Sequence, residues 1–466
     1  MFWALARRSK TERAIHASIQ IFLPIKATKK FSNRSVHSYP ARVPDIGPLS
    51  DPAEVQPVVA THDPYEVLRN RDLLLYLIGR FVASFGQQML SLAVGWEIYE
   101  RTGSSLKLGI VGLTQMLPMF LFTLPAGHAA ENYDRKRIIV AMTFILAAAS
   151  LGLTGISRTN ADTRWIYVCL FVAASARTFL WPASSAFMPQ LVSREKFSKA
   201  VTWSSGSFHL SSVAGPAAAG AVIAVTHRAS TVYAINAAAC VICLSLIALV
   251  RTHHRVAVKE EMTFKNLLAG FKFVFQSRII FGTITLDLFA VLLGGAVALL
   301  PVYAKDILHA GSTGLGFLQA ALPSGALLCA LVLAHRPPLQ KAGRTLLWAV
   351  SIFGLATIVF GFSQWFWLSF LALFLCGAAD NVSVVVRHTL VQLLTPDDKR
   401  GRVSAVNSLF IGTSNELGGF ESGLVAHLAN PIFSVVSGGI GTIIVVIAIA
   451  LIWPEIRKYG RLDGAS

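Results

Sequence analysis

The chain has 466 residues, 54% hydrophobic and only 14% charged, with a mean hydropathy of +0.58 and a formal net charge of +17. A soluble globular chain carries about 25% charged residues, so a water-soluble domain is excluded. Twelve apolar stretches account for the composition, at 73–99, 105–126, 137–156, 165–189, 200–225, 231–250, 279–302, 311–335, 345–362, 366–391, 403–426 and 432–454. Each approaches the roughly 20 residues that cross a bilayer as a helix. None shows the period-2 alternation of a membrane β-barrel, and lipid leaves no partner for free backbone groups. The expected fold class is an all-α membrane protein of twelve transmembrane helices in two six-helix bundles.

Residues 1–72 precede the first span. They are basic and rich in Ser and Pro. The first 25 or so, with Arg7, Arg8, Lys10 and Arg13, resemble an organellar transit peptide. A disordered cytoplasmic tail or a misassigned start is the simpler reading and the one adopted. No secretory h-region with a cleavage site is present, so the first span serves as the insertion signal.

The 41 Lys and Arg alternate with the connectors. Of these, 33 fall before the first span, on every second connector or in the C-terminal tail, against 6 on the opposite connectors. That bias places both termini in the cytoplasm of a multi-pass cell-membrane (inner or plasma membrane) protein. The charge therefore reports topology and makes no case for a nucleic-acid partner.

The connector between spans 2 and 3 runs from Gly127 through Glu131 and Asp134 to Arg135, Lys136 and Arg137. Span 4 holds Arg177, and span 5 holds Gly215-Pro216-Ala217-Ala218-Ala219-Gly220. There proline removes a backbone hydrogen bond while glycines admit close packing. Cys169, Cys240, Cys243, Cys329 and Cys376 all lie within spans and read as small apolar filler, with no metal-ligand set. Residues 251–278 form a linker at the chain midpoint. There Phe264, Leu267, Leu268, Phe271 and Phe275 share one stripe of an expected amphipathic helix at the inner membrane surface, among six basic residues. The plan is an N-terminal bundle over 73–250, a C-terminal bundle over 279–454 and a cytoplasmic tail over 455–466. A weak repeat, Gln190-Leu191-Val192 before span 5 and Gln392-Leu393-Leu394 before span 11, supports related halves.

Ionisable groups at bilayer depth cost at least about 2.5–3.5 kcal/mol each and need a partner, a cavity or a task. The candidates for coupling or substrate contact are Arg177, Asp287, Asp380, Arg387, Glu416 and Glu421. Asp380 and Arg387, seven apart, share a helix face. They lie about 10 Å apart along its axis, too far for a direct pair. Asp287 and Glu416 are the foremost proton-carrier candidates, with a structural ion pair to Arg177 or Arg387 as the alternative. Glu97 is expected to reach the outer interface. Trp181, Phe289, Trp365 and Trp367 are candidates for an amphipathic cavity wall, the last two also for interface anchoring. No phosphate-binding Gly-x-x-x-x-Gly-Lys loop, nucleophile constellation or metal cluster appears, so no cofactor, metal or catalytic residue is expected and an enzyme reading has no support.

Twelve spans in two halves, with Gly127, Arg135 and Lys136 at their places on connector 2/3, resemble the major facilitator superfamily over about residues 65–455. The match to its Gly-x-x-x-Asp-Arg-x-Gly-Arg-Arg/Lys signature is partial. Glu131 stands for Asp, Asn132 for Arg and Asp134 for Gly; the last is similar to the efflux subgroup that includes the enterobactin exporter. Span 11, with its run of polar residues around Glu416 and Glu421, resembles the same subgroup and is too polar to face lipid. The connector-8/9 copy ending Lys341-Ala342-Gly343-Arg344 is too degraded to carry the match. The resemblance implies that Gly127, Glu131, Asp134, Arg135 and Lys136 form a gating latch closing the cytoplasmic face, with Gly127 letting helices 2 and 11 approach. It further implies that Gly215, Pro216 and Gly220 form the antiporter-type motif of exporters. The resulting expectation is a monomeric secondary transporter that exports a small amphipathic, drug- or siderophore-like molecule in exchange for protons by alternating access. The rivals are an ion-coupled importer on the same fold and a non-transporting scaffold or receptor.

Overall fold

The computed structural model describes residues 65–251, 271–336, 340–396 and 399–460. They are helical with no strand among them. The long helices are α1 (Arg71–Thr102), α2 (Ser105–Asn132), α3 (Arg135–Thr159), α4 (Arg164–Leu191), α5 (Phe197–Thr226) and α6 (Ala229–Leu249), then α7 (Arg278–Leu293), α8 (Gly311–Ala334), α9 (Ala342–Phe362), α10 (Phe366–Leu394), α11 (Arg400–Leu428) and α12 (Pro431–Ile452). A short helix, α13 (Pro454–Lys458), follows.

Local sequence sets the helix ends. Asn70 caps α1, its side chain accepting from the Asp72 and Leu73 amides at 3.0 and 3.3 Å. Gly103, at φ 58°, ends that helix in the left-handed conformation that glycine adopts without strain. Asp134 caps α3 through the Lys136 amide (2.9 Å). Asn430 caps α12 through the Phe433 amide (2.7 Å), with Pro431 at the first helical position.

Among the described residues, eleven segments are long and apolar enough to cross a membrane. The expected span 403–426 is helical as α11 but falls short on composition. Its Asn407, Ser414 and Ser422 are buried, so it packs its polar face inside the protein. The expected span 279–302 is interrupted: α7 stops at Leu293, Gly294 and Gly295 turn the chain, and irregular helical turns carry it to Ile307.

The packing repeats with an offset of six. In the first half α1 packs on α5 and α6, α2 on α4, and α3 on α4 and α6; in the second half α7 packs on α11 and α12, α8 on α10, and α9 on α10 and α12. The halves meet chiefly along α5 with α8 and α2 with α11. These seams are close only where small residues stand. A Cβ on Gly220 would overlap the Ser312 carbonyl, and one on Gly316 would come within 2.7 Å of the Pro216 carbonyl. A Cβ on Gly112 would overlap the Glu416 carbonyl, and one on Gly423 would lie 2.7 Å from Gly109 Cα. Such stripes let helix backbones touch in lipid, where apolar packing gains little from water exclusion.

All four contacts lie in the half of each helix away from the basic connectors. Tyr99 at the end of α1 adds a hydrogen bond to the Asp306 carboxylate there, and the Lys305 ammonium lies 5.8 Å from the Tyr99 ring centre. Toward the basic ends of α5 and α11, a Cβ on Gly206 or Gly401 would meet nothing within 4 Å. The halves are thus joined at the far face, with open space beside Gly206 and Gly401.

Two expected segments fall largely outside the described residues. Residues 1–64 are among them, but 65–72 of the expected extension are folded. A 3-10 turn at Glu66–Arg69 precedes α1, Val67 is buried, and Glu66 pairs with Lys196 (2.7 Å) and Lys199 (3.0 Å). Of the amphipathic linker helix, 252–270 lie outside the description. Residues 271–276 are helical, and Phe271 and Phe275 pack against Phe410 and Phe281, with ring centres 5.9 and 4.9 Å apart.

Candidate functional site

Between the two halves lies a cavity of about 450 Å³, within the range of small-molecule sites. From the first half α1 supplies Gln87, Gln88 and Ser91, α2 supplies Gln115, and α4 supplies Arg177. From the second half come Gln319 of α8, Phe353 of α9, Asp380 of α10, and Asn415 and Glu416 of α11. The broken stretch after α7, from Gly294 to Pro301, completes the wall. Irregular backbone at membrane depth is tolerated where it lines a cavity, and here it faces one. The small-residue seams of α5 with α8 and of α2 with α11 close the far side.

The wall carries one guanidinium and two carboxyl groups. Arg177 donates to the Gln115 amide oxygen at 2.5 Å, across α4 and α2. Gln88 donates to Ser212 Oγ at 2.8 Å, joining α1 to α5. Asn415 donates to the Ile411 carbonyl at 2.8 Å within α11. Helix order explains why these groups converge: six-helix halves with matching packing turn α1, α2, α4 and their counterparts α7, α8, α10 toward the shared axis, with α11 beside them.

The sequence candidates separate into groups. Arg177, Asp380 and Glu416 share the cavity. Asp287 and Arg387 do not; they form a buried ion pair between α7 and α10, with side chains 8% and 2% exposed. A small void lined by Asp287, Ser383 and Asp380 adjoins the cavity beside that pair. Glu421 is not among the cavity-lining residues and accepts from Ser422 Oγ at 3.4 Å. Glu97, expected at the interface, is buried instead and paired with Arg101 at 2.6 Å.

Near the basic end, Gly127 is buried in α2 and Glu131 is exposed. Arg135 donates to the carbonyls of Ala186 (3.1 Å) and Ala130 (3.2 Å), and Lys136 to those of Ala248 (2.9 Å) and Val250 (2.8 Å). Ala130, Ala186 and Ala248 lie in α2, α4 and α6, and Val250 directly follows α6. α2 approaches α11 closely at Gly109 and Gly112, toward the end of the helix opposite Gly127. Gly215 and Gly220 flank Pro216 on α5. A Cβ on Gly215 would meet Gln88 of α1 at 2.6 Å, and Gly220 faces α8, so the motif sits at a three-helix junction.

Trp181, Phe289, Trp365 and Trp367 are absent from the wall and stand 63%, 41%, 65% and 62% exposed on the outer surface. Their bulk fits the lipid side, whereas the wall is rich in amides. Sequence reading passed over those amides, although Gln87, Gln88, Gln115 and Gln319 inside apolar spans carry the same signal as a buried charge, more weakly. It also passed over Arg80 in α1, half-buried, which donates to Tyr76 Oη at 3.3 Å. The Gly294-Gly295 pair within an apolar run was the available sign of the break. No group of His, Cys, Asp or Glu among the described residues is arranged to hold a metal ion.

Residues 63–463 match the family described as transmembrane secretion effector. The enterobactin exporter EntS of Escherichia coli O1:K1 is 27% identical over 395 residues, covering 82% of this chain and 92% of the exporter. The exporter of the same name from Shigella flexneri is 26% identical over 393 residues, with coverage of 82% and 92%. Among solved structures, the nucleoside transporter NupG superposes with a TM-score of 0.65 at 13% identity, covering 83% of this chain and 99% of that one. A bacterial homolog of the human lysosomal transporter Spinster, inward-facing and occupied, gives 0.66 at 14% identity, covering 85% and 97%.

Proposed function

The chain belongs to the transmembrane secretion effector family of the major facilitator superfamily, and we propose that this membrane transporter exports a small, hydrogen-bonding molecule in exchange for protons by alternating access. One observation carries the reading. A cavity walled by both halves holds Arg177, Asp380 and Glu416, and small-residue seams join the halves at the far face. Rocking the halves about those seams exposes the same wall to each side in turn.

Sidedness follows from the charge bias. With the basic connectors in the cytoplasm, the joined face is external and the cavity is set to load from inside. The latch residues Glu131, Asp134, Arg135 and Lys136 then lie at the face that must close for release outside. The Gly215, Pro216 and Gly220 motif holds α5 against α1 and α8, at the junction about which the halves move. Export accords with the family description and with the enterobactin exporters among the relatives.

Each wall group has a task in this cycle. Arg177 orients acidic or hydroxyl groups of the cargo and, from the first half, faces carboxyl groups of the second. Asp380 and Glu416 are the carboxyl groups on the wall, so a proton exchanged against cargo binds there. The glutamines present donors and acceptors that a lipophilic cation leaves unmatched, at a cost of about 1–3 kcal/mol per buried polar group. They favour a siderophore-like cargo over a lipophilic drug. The test is purified protein in liposomes with an internal pH dye and an imposed pH gradient, challenged in turn with catecholate chelators and lipophilic cations. Cargo-dependent proton flux that Glu416→Gln or Asp380→Asn abolishes is the expected result. Cargo movement with no proton flux overturns the coupling, and no movement of any cargo by folded protein overturns the exporter reading.

A further inference from the structure

A second pocket, of about 410 Å³, lies outside the transport cavity, at the basic end of α9 beside α13. Arg344, Leu347, Trp348, Ser351 and Arg457 line it. The first four, at i, i+3, i+4 and i+7, form a single stripe of α9.

The two sides are locked together. The amides of Ala342 and Gly343 donate to the carbonyls of Gly460 (3.0 Å) and Tyr459 (3.4 Å). Ile456 of α13 is fully buried. A Cβ on Gly343 would overlap the Ile456 carbonyl, so glycine is what lets α13 lie against the helix start. Arg457 is thereby held across the pocket from Arg344. Neither guanidinium has an ion-pair or hydrogen-bond partner among the described residues, and the acid on α13, Glu455, is engaged by Arg278 at 3.2 Å.

What lies above the pocket is apolar. Trp348 is 67% exposed, and the open face continues through Ile352 and Leu355 of α9 and Ile447 and Leu451 of the adjacent α12. Two free cations at the foot of two spans, an aromatic ring above them and an apolar stripe beyond match a phospholipid in layers: charged headgroup, interface, acyl chain. We propose that this pocket binds a membrane phospholipid with an anionic headgroup, its phosphate between Arg344 and Arg457 and its acyl chains along Trp348, Ile352 and Leu355. The lipid bridges α9 and α13, tying the C-terminal segment to the second bundle. The site stands apart from the transport reading, since it rests on neither the cavity nor its carboxylates.

The test is native mass spectrometry of the full-length protein in detergent, titrated with phosphatidylglycerol or with phosphatidylcholine of the same chains. Glycerol 3-phosphate is the soluble competitor. Saturable retention of phosphatidylglycerol over phosphatidylcholine is expected, weakened about fivefold by Arg344→Gln or Arg457→Gln alone and more than tenfold by both. Trp348→Ala should weaken it less, and Arg336→Gln, an exposed basic-end control, should leave it unchanged. Both arginines point out of the fold, so the variants should elute and melt as the parent does. Equal retention of both lipids, or no change in the double variant, overturns the proposal. Displacement by glycerol 3-phosphate at concentrations equal to the lipid also overturns it, in favour of a soluble-phosphate site.

Discussion

Arg387→Met tests the ion pair between α7 and α10. The Arg387 and Asp287 side chains are 2% and 8% exposed and meet directly, so removing the cation leaves a carboxylate in the core of the second bundle. Breaking one partner of a buried pair costs about 3–5 kcal/mol, whereas replacing both by uncharged groups of similar volume is close to neutral. A melting midpoint moves about 2–4 °C per kcal/mol in a unit of 150–250 residues, which each six-helix half approximates. Arg387→Met and Asp287→Asn should therefore each lower the melting temperature by roughly 6–20 °C. The double variant should recover more than half of that loss. The assay is a thermal melt in detergent followed by size exclusion, with the four proteins forming a double-mutant cycle. Proton flux in liposomes held below the melts adds the functional reading, and Asp287→Asn should keep its cargo-driven flux. Melting within a degree or two of the parent, with flux abolished, would refute the reasoning and make Asp287 a proton carrier in its own right.

Gly220→Val drives a side chain into the Ser312 carbonyl and should open the far face; spin-label distances between the far ends of α5 and α8 should lengthen, and unchanged distances would count against that seam as the closure. Tyr99→Phe removes the hydrogen bond to Asp306 and should shift the same distances in the same direction by less, since one hydrogen bond to a charged group contributes about 1.5–3 kcal/mol. Hydrogen bonds and charge from Lys196 and Lys199 hold the Glu66 carboxyl down at about 2. Its contribution is therefore fully present above the ordinary value of 4.5 and fades only as pH falls toward 2. Amide exchange at Leu68 and Asn70, corrected for intrinsic rates, should be flat from pH 5 to 8 and faster at every pH in Glu66→Gln; a protection step within that window would contradict the assignment. Asn70→Ala removes the α1 cap and the bond from its side chain to the Leu191 carbonyl (2.8 Å), and should destabilise by about 1–2 kcal/mol in the same melt.

The architecture was legible in the sequence because its causes are local. A run of about 20 apolar residues has one favourable state in lipid, whatever its neighbours do. Capping residues such as Asn70, Asp134 and Asn430 then fix where each helix begins, and Gly103 fixes where α1 ends. The partial signature on connector 2/3 and the polar run of α11 placed the chain in its superfamily before any packing was known. Partnership is different, because it depends on residues far apart in the chain. Asp287 and Arg387 are a hundred positions apart, and nothing in either span shows that they meet while Asp380, on the same helix face as Arg387, lines the cavity. The interhelical approach at Gly109 and Gly112 depends on which ends of α2 and α11 are joined in this conformation. The amide wall arises only where α1, α2, α8 and α11 converge. Membrane insertion is decided span by span, so sequence alone determined the helices and their family; the facing of each polar group is decided by all twelve helices together, so only the tertiary structure could sort cavity from ion pair.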